Sequence, residues 1–420
     1  MTTDLSPKIL FAAYGGGHVA MVAPVSQEMS RRGFRSSMLA LTTARTYLDQ
    51  RGIAYTGYND LPEAKDPAVR AYGVELAGQQ TPGPAPVPYE ESVAYHGVNF
   101  VDLVHEHGEA GARLLFAARQ RQAFLPLRTM TRLLERERPD LVVVTTSPRT
   151  EEALALAARA LGIPVVCMVD LFEVHGMAPE KYPEYADRFL VLNEKVRSAL
   201  ISYGCSPEQV MATGNPAFDR LRDPDTRAAG IRLRQRHGWQ ADQKVVLWAS
   251  QVEPALHPFT GLPGDPSLPG RIEQSLRDYV AGHEKTRLVV RYHPSERRTF
   301  VPGVRTEFSP VQQDVGELLN AVDIVVVMTS TIGLEAAIVG KRVITVENSM
   351  FADSVPYSAL GIAEGVENPS KLSSALERAT NGDGPSRQAS DVFAAGTATE
   401  AACAALEAVL CCSSPVRDED

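Results

Sequence analysis

The chain opens on a short apolar run, Lys8-Ile-Leu-Phe-Ala-Ala13, that breaks at Tyr14-Gly-Gly-Gly-His18. Val22, Val25 and Met29 then recur at helical spacing until Arg31-Arg32-Gly33 closes the segment, and Ser37–Thr42 is extended again. Strand, glycine turn, helix, strand is how a doubly wound α/β domain begins. The alternation resumes with strands at Leu141–Thr146, Pro164–Val169 and Arg188–Leu192 and a helix over 150–161. A second set follows: strands Val245–Ala249, Arg287–Tyr292, Ile324–Met328 and Val343–Val346, with a helix over 334–339. Two αβ repeats of similar size, each with its own parallel sheet, fit this spacing better than one large sheet. The predicted class is α/β, with two Rossmann-like doubly wound domains.

Between these repeats the pattern loosens. Residues 59–100 hold Thr81-Pro-Gly-Pro-Ala-Pro-Val-Pro88, too rich in proline for a helix or a central strand, and read as a long irregular loop, the natural place for specificity. A helix is expected over 101–138. The first half ends near Gly214-Asn-Pro216, and a charged stretch from Asp219 to Gln243 links the halves. Residues 1–220 and 221–390 thus form two domains. A helix over 391–410, apolar on one side, docks elsewhere, and 411–420 is a solvated tail.

Charge and cysteine narrow the function. The 51 acidic residues exceed the 42 basic ones, for a net charge of −9. Such a chain attracts no polyanion as a whole, so nucleic acid is excluded and any phosphate must be held by local devices. The five cysteines are odd in number and lack metal-ligand spacing, which favours a reduced, cytoplasmic setting. No run reaches the roughly 18 apolar residues of a membrane span.

Two segments carry candidate chemistry. Gly15 to Ala20 matches G-x-G-x-x-A, but the following strand ends in Leu41-Thr42-Thr43 without the acid that a dinucleotide ribose needs. No Lys-Ser/Thr follows to make a P-loop. What survives is a turn at Gly16 and Gly17 whose backbone approaches a ligand closely at a helix N-terminus. His18 stands there, where imidazolium is disfavoured and a neutral imidazole able to accept a proton fits; the alternative is a histidine that caps the helix.

In the second half, one strand runs into Arg291-Tyr-His293-Pro-Ser-Glu296 and another into Thr329-Ser-Thr-Ile-Gly-Leu-Glu335. Both lie beyond the carboxyl ends of strands, where open α/β sheets bind ligands. Thr329, Ser330, Thr331, Gly333 and the amides of the helix start hold a phosphate without net positive charge. Arg291 or His293 adds a donor. Glu335 is four residues past Thr331, not the three of a capping box, and suits a ribose diol.

These stretches resemble the two-domain GT-B glycosyltransferases, in which two Rossmann-like domains face a central cleft. The resemblance is to the group with the peptidoglycan N-acetylglucosaminyltransferase and the glycosyl-diacylglycerol synthases. Tyr14–Val19 looks like that group's Gly-Gly-His loop. Met168–His175, Tyr185–Glu194 and Thr213–Asp219 follow its order and spacing, and Thr329–Val346 looks like its donor-binding helix. His-Pro-Ser-Glu at 293–296 is more similar to sialyl and capsule transferases and to UDP-N-acetylglucosamine 2-epimerases.

The resemblance implies that His18 is the loop histidine near the reacting centre and that Asp170 and His175 face the acceptor. It places Ser330 and Thr331 on the donor diphosphate, Glu335 on the ribose, and the C-terminal helix back on the first domain. The expected activity is an inverting, metal-independent transfer of a sugar from a nucleotide-diphosphate sugar, a UDP-sugar foremost, with His18 as base and Asp170 as its rival. The nucleotide-sugar is a substrate, and no cofactor is expected. The acceptor is unidentified, with a soluble small molecule slightly favoured, and a homodimer is left open. A non-hydrolysing UDP-sugar 2-epimerase is the alternative. Its first loop usually reads Arg-Pro-Glu, where this chain has Gly-His-Val. A catalytically silent nucleotide-sugar binder is a third reading.

Overall fold

The computed structural model describes residues 6–78, 87–172, 179–257, 261–383 and 397–413. The chain divides into two compact units, Met1–Ala217 with Thr397–Asp420, and Phe218–Gly396.

In the first unit six strands form one parallel sheet: β1 Lys8–Ala13, β2 Arg35–Ala40, β3 Leu141–Thr145, β4 Val165–Met168, β5 Arg188–Val191 and β6 Val210–Ala212. Their order is β2-β1-β3-β4-β5-β6. The chain leaves β1 toward one edge and β3 toward the other, which opens a crevice between their carboxyl ends. The central strands are apolar on both faces because helices cover both.

In the second unit β7 Lys244–Ala249, β8 Thr286–Arg291, β9 Thr306–Phe308, β10 Ile324–Val327, β11 Arg342–Val346 and β12 Glu364–Val366 form a parallel sheet ordered β12-β11-β10-β7-β8-β9. Here the switch lies between β7 and β10. Each unit is a Rossmann-like domain. The strands β6, β9 and β12, absent from the sequence reading, are three-residue edge strands too short to show a period.

The expected loop over 59–100 is instead largely helical. Asp66 caps a helix at Pro67–Ala77 by accepting from the Ala68 amide, and a second helix runs Tyr89–Arg119. They cross at two glycines. A Cβ at Gly73 would lie 2.2 Å from the Val93 carbonyl oxygen, and one at Gly97 2.0 Å from that of Val69. Residues 79–86, most of the proline run, lie outside the described residues. The single helix expected over 101–138 is broken: Gly108 kinks it at φ 68°, it ends at Arg119, and a new helix Leu127–Glu137 starts behind Pro126. The charged link at 219–243 contains a helix, Pro224–Arg236, capped by Asp223.

The C-terminal helix is Ala398–Ser413 and ends three residues beyond the 410 expected, so the start of the supposed tail is helical. Ala402, Cys403, Leu406 and Val409 join Val22, Val25 and Met29 in the core of the first unit. Arg32 pairs with Glu28, Glu400 and Glu407 beside them. Among the described residues no helix is long and apolar enough to cross a membrane.

Candidate functional site

In the first unit the candidate site gathers at the β1/β3 switch. The three glycines after β1 are not equally constrained. A Cβ at Gly15 would strike Thr43 Oγ1 at 1.8 Å, and Gly16 has φ 73°, so both are demanded by the turn. Gly17 opens helix Gly17–Arg31, and a Cβ there would point at Asp170 Oδ2, 3.5 Å away. At that distance a side-chain carbon would be in ordinary contact, so the turn does not demand this third glycine.

His18 does not cap the helix; the N-cap is Gly16, with no side-chain bond. Its ring turns to β3 instead, with Nδ1 2.6 Å from Thr145 Oγ1. Thr145 Oγ1 donates to Glu151 Oε2 at 2.8 Å, so its oxygen accepts from His18, and Nδ1 carries the proton. Glu151 sits in the first turn of helix Thr150–Ala160 and is completely buried. It also accepts the amides of Tyr14 (3.0 Å) and Thr145 (2.5 Å). Burial pushes its carboxyl up, while the nearby His18 and these hydrogen bonds pull it down. The free ring nitrogen, Nε2, stands 3.8 Å from Asp170 Oδ2. Asp170 follows β4, and its carbonyl accepts from Asn215 Nδ2 at 2.8 Å. His18 and Asp170 are therefore brought together, and each side chain is partly open to solvent. His175 lies outside the described residues. The Thr145–Glu151 pair went unnoticed in the sequence, where it reads as strand end and ordinary helix.

The second unit carries its own candidate site at the β7/β10 switch. Gln251, after β7, clamps Thr329: Oε1 accepts the Thr329 amide at 3.0 Å and Nε2 donates to Thr329 Oγ1 at 2.7 Å. Helix Thr331–Ile338 then starts three residues earlier than predicted, with Ser330 as its cap accepting from the Ile332 amide. Thr331 is exposed in the first turn. Gly333 is buried, and a Cβ there would press on Tyr357 and Val327 at 2.9 Å, so its smallness serves packing.

Glu335, one turn on, is half-buried. Loss of water pushes its carboxyl up to about 7, against the pull of Arg220 and Arg291 and with a push from Asp314. Arg291 is not a free phosphate donor: its guanidinium is spent on Ser309 Oγ and the Pro310 and Val311 carbonyls, at 2.9–3.1 Å. His293 is exposed, and its Nδ1 accepts the Ser295 amide at 3.1 Å, which leaves Nε2 bearing the proton. Glu296 closes that turn by accepting the His293 amide and the Ser250 hydroxyl.

The sequence matches the family described as UDP-N-acetylglucosamine 2-epimerase over residues 118–407 and a glycosyl transferase 4-like domain over residues 16–216. No curated protein matches it. Among solved structures it is similar to the UDP-GlcNAc 2-epimerase from Neisseria meningitidis bound to UDP-GlcNAc (15% identity, 96% of this chain and 100% of that one, TM-score 0.62). It is similar also to the UDP-GlcNAc 2-epimerase from Methanocaldococcus jannaschii (13% identity, 96% and 99%, TM-score 0.59) and to MurG of Acinetobacter baumannii (14% identity, 96% and 99%, TM-score 0.55). At these identities the likeness is one of fold, and the fold is GT-B. With a sequence match that spans more than half of its residues, the chain belongs to the UDP-N-acetylglucosamine 2-epimerase family.

Proposed function

We propose that this protein transfers a sugar, with inversion, from a nucleotide-diphosphate sugar to an acceptor hydroxyl. The observation that carries the reading is the His18 ring. Its Nδ1 proton is committed to Thr145, so Nε2 is left as a base beside Asp170. Nε2 takes the acceptor's proton as its oxygen attacks the anomeric carbon and the bond to the diphosphate breaks. Asp170 steadies the imidazolium that forms. Amides at the start of helix Thr331–Ile338, with Ser330 and Thr331, receive the leaving diphosphate, and Glu335 binds the ribose. We assign no cofactor to these steps. Solved relatives bound to UDP-GlcNAc and to UDP support a UDP-sugar as donor.

The family match favours a second reading, epimerisation at C2 of a UDP-sugar, in which Asp170 would shuttle the proton. One experiment separates the two. UDP-GlcNAc is incubated in D2O without acceptor and followed by NMR. Transfer predicts an unchanged sugar until an acceptor is supplied; deuterium at C2 and a second epimer would overturn it. His18→Ala should abolish transfer while leaving UDP affinity intact.

A further inference from the structure

Beyond β3 the chain turns through Ser147-Pro148-Arg149 into helix Thr150–Ala160. Arg149 sits at φ 73°, ψ −109°, a backbone region that residues with a Cβ rarely adopt. Its guanidinium lies 5.2 Å from the centre of the Tyr14 ring. The hydroxyls of Tyr14 and Tyr58 both meet Thr150 Oγ1, at 3.1 and 2.7 Å, and Tyr95 packs edge-on against Tyr58 at 5.1 Å. The groups that bear on the cation are thus phenols, Tyr14, Tyr58 and Tyr95, rather than acids.

Among the described residues no carboxylate ion-pairs with Arg149; its Nε is buried without a hydrogen-bond partner, and Tyr14 is the side chain that hydrogen-bonds the rest of the guanidinium. Asn99 faces the same cluster from helix Tyr89–Arg119; it is 1% exposed, and its Oδ1 also lacks a partner. Buried charges and polar atoms are normally matched, because leaving them unmatched is costly. Here a fixed cation without a counter-anion stands four residues past Thr145, its ring neighbour Tyr14 four before His18. None of the steps assigned above uses it.

The geometry points to an oxyanion subsite at Arg149: the second substrate carries a carboxylate or phosphate, which this guanidinium binds and so presents the substrate to His18. The subsite rests on the reading of the first unit as acceptor-binding. A planar guanidinium suits either anion through paired N–H donors.

The test is calorimetric titration of inorganic phosphate, and separately of acetate, into the full chain held at saturating UDP. UDP keeps the helix at Thr331 occupied. One of the anions should bind the wild type, and which one does identifies the substrate's group. Arg149→Gln should weaken that binding by on the order of tenfold or more, and Arg149→Lys less. Should the wild type bind neither anion, or Arg149→Gln bind as the wild type does, the subsite is refuted. A wild-type measurement guards against misfolding of the variants. Phenylglyoxal modification of Arg149, read by peptide mass, should slow when the anion is present; equal rates, or no modification, would refute the subsite as well. Failure of UDP to bind would instead strike the donor assignment, leaving the Arg149 comparison readable.

Discussion

His18 Nδ1 lies 2.6 Å from Thr145 Oγ1, a contact between residues 127 positions apart. Because Thr145 gives its own proton to Glu151, the histidine is held in one tautomer with Nε2 free. A threonine hydroxyl and a buried carboxylate thus do the orienting work that a directly bonded carboxylate does in hydrolase triads.

Thr145→Val should lower kcat by about 10- to 100-fold, less than the 10²–10⁴ that loss of a whole general base costs. UDP affinity should not change, and Thr145→Ser should restore most of the rate. Steady-state kinetics with UDP titrations decide it. A valine variant with wild-type kcat would remove the orienting role.

Glu335 makes the second unit sensitive to pH. Its carboxyl is pushed up to about 7 from an ordinary 4.5, with burial as the largest cause. Between these values the folded protein keeps a proton that the unfolded chain has released. Stability therefore falls as pH rises from about 4.5 to about 7, by up to about 3 kcal/mol, and levels off above. Glu335→Gln should flatten that slope. Urea unfolding at pH 5, 6, 7 and 8 measures it, and identical slopes for both proteins would contradict the burial argument.

Gly73 and Gly97 let two helices of the first unit touch backbone to backbone. Alanine at either position should cost roughly 1–3 kcal/mol, since the added carbon meets a carbonyl oxygen that cannot swing aside. Thermal unfolding reads this directly. Alanine variants that melt with the wild type would show that the helices have room to separate.

Leu406, fully buried, anchors the C-terminal helix in the core of the first unit. Leu406→Ala should cost about 2–5 kcal/mol. Arg32→Ala, which removes only partly exposed ion pairs, should cost about 1 kcal/mol or less. Denaturant unfolding of both variants ranks them; a larger loss from the arginine would mean that charge, not packing, holds the helix.

The strands most legible in the sequence are the central ones, such as Leu141–Thr145 and Ile324–Val327, because burial on both faces forces an unbroken apolar run. The glycine turn at 15–17 and the polar start at Thr329–Glu335 were visible for a related reason: each follows directly on such a run. The helix pair at 67–119 was hidden. Its glycines mark a close crossing, and the prolines at 82–88 made the whole of 59–100 read as a loop. Arg291 misled because a cation at a strand end reads the same whether it meets a ligand or its own chain's carbonyls.

The sequence by itself determined two parallel αβ repeats, a net charge of −9, and the placing of His18, Asp170, Ser330 and Glu335 in the segments that follow strands. Local periodicity and net charge need only neighbours along the chain. Only the tertiary structure decided that His18 is oriented by Thr145 and Glu151, that Arg291 is consumed by residues 309–311, and that among the described residues no acid pairs with Arg149. Those outcomes depend on which distant groups a fold brings within about 3 Å, where hydrogen bonds form or fail.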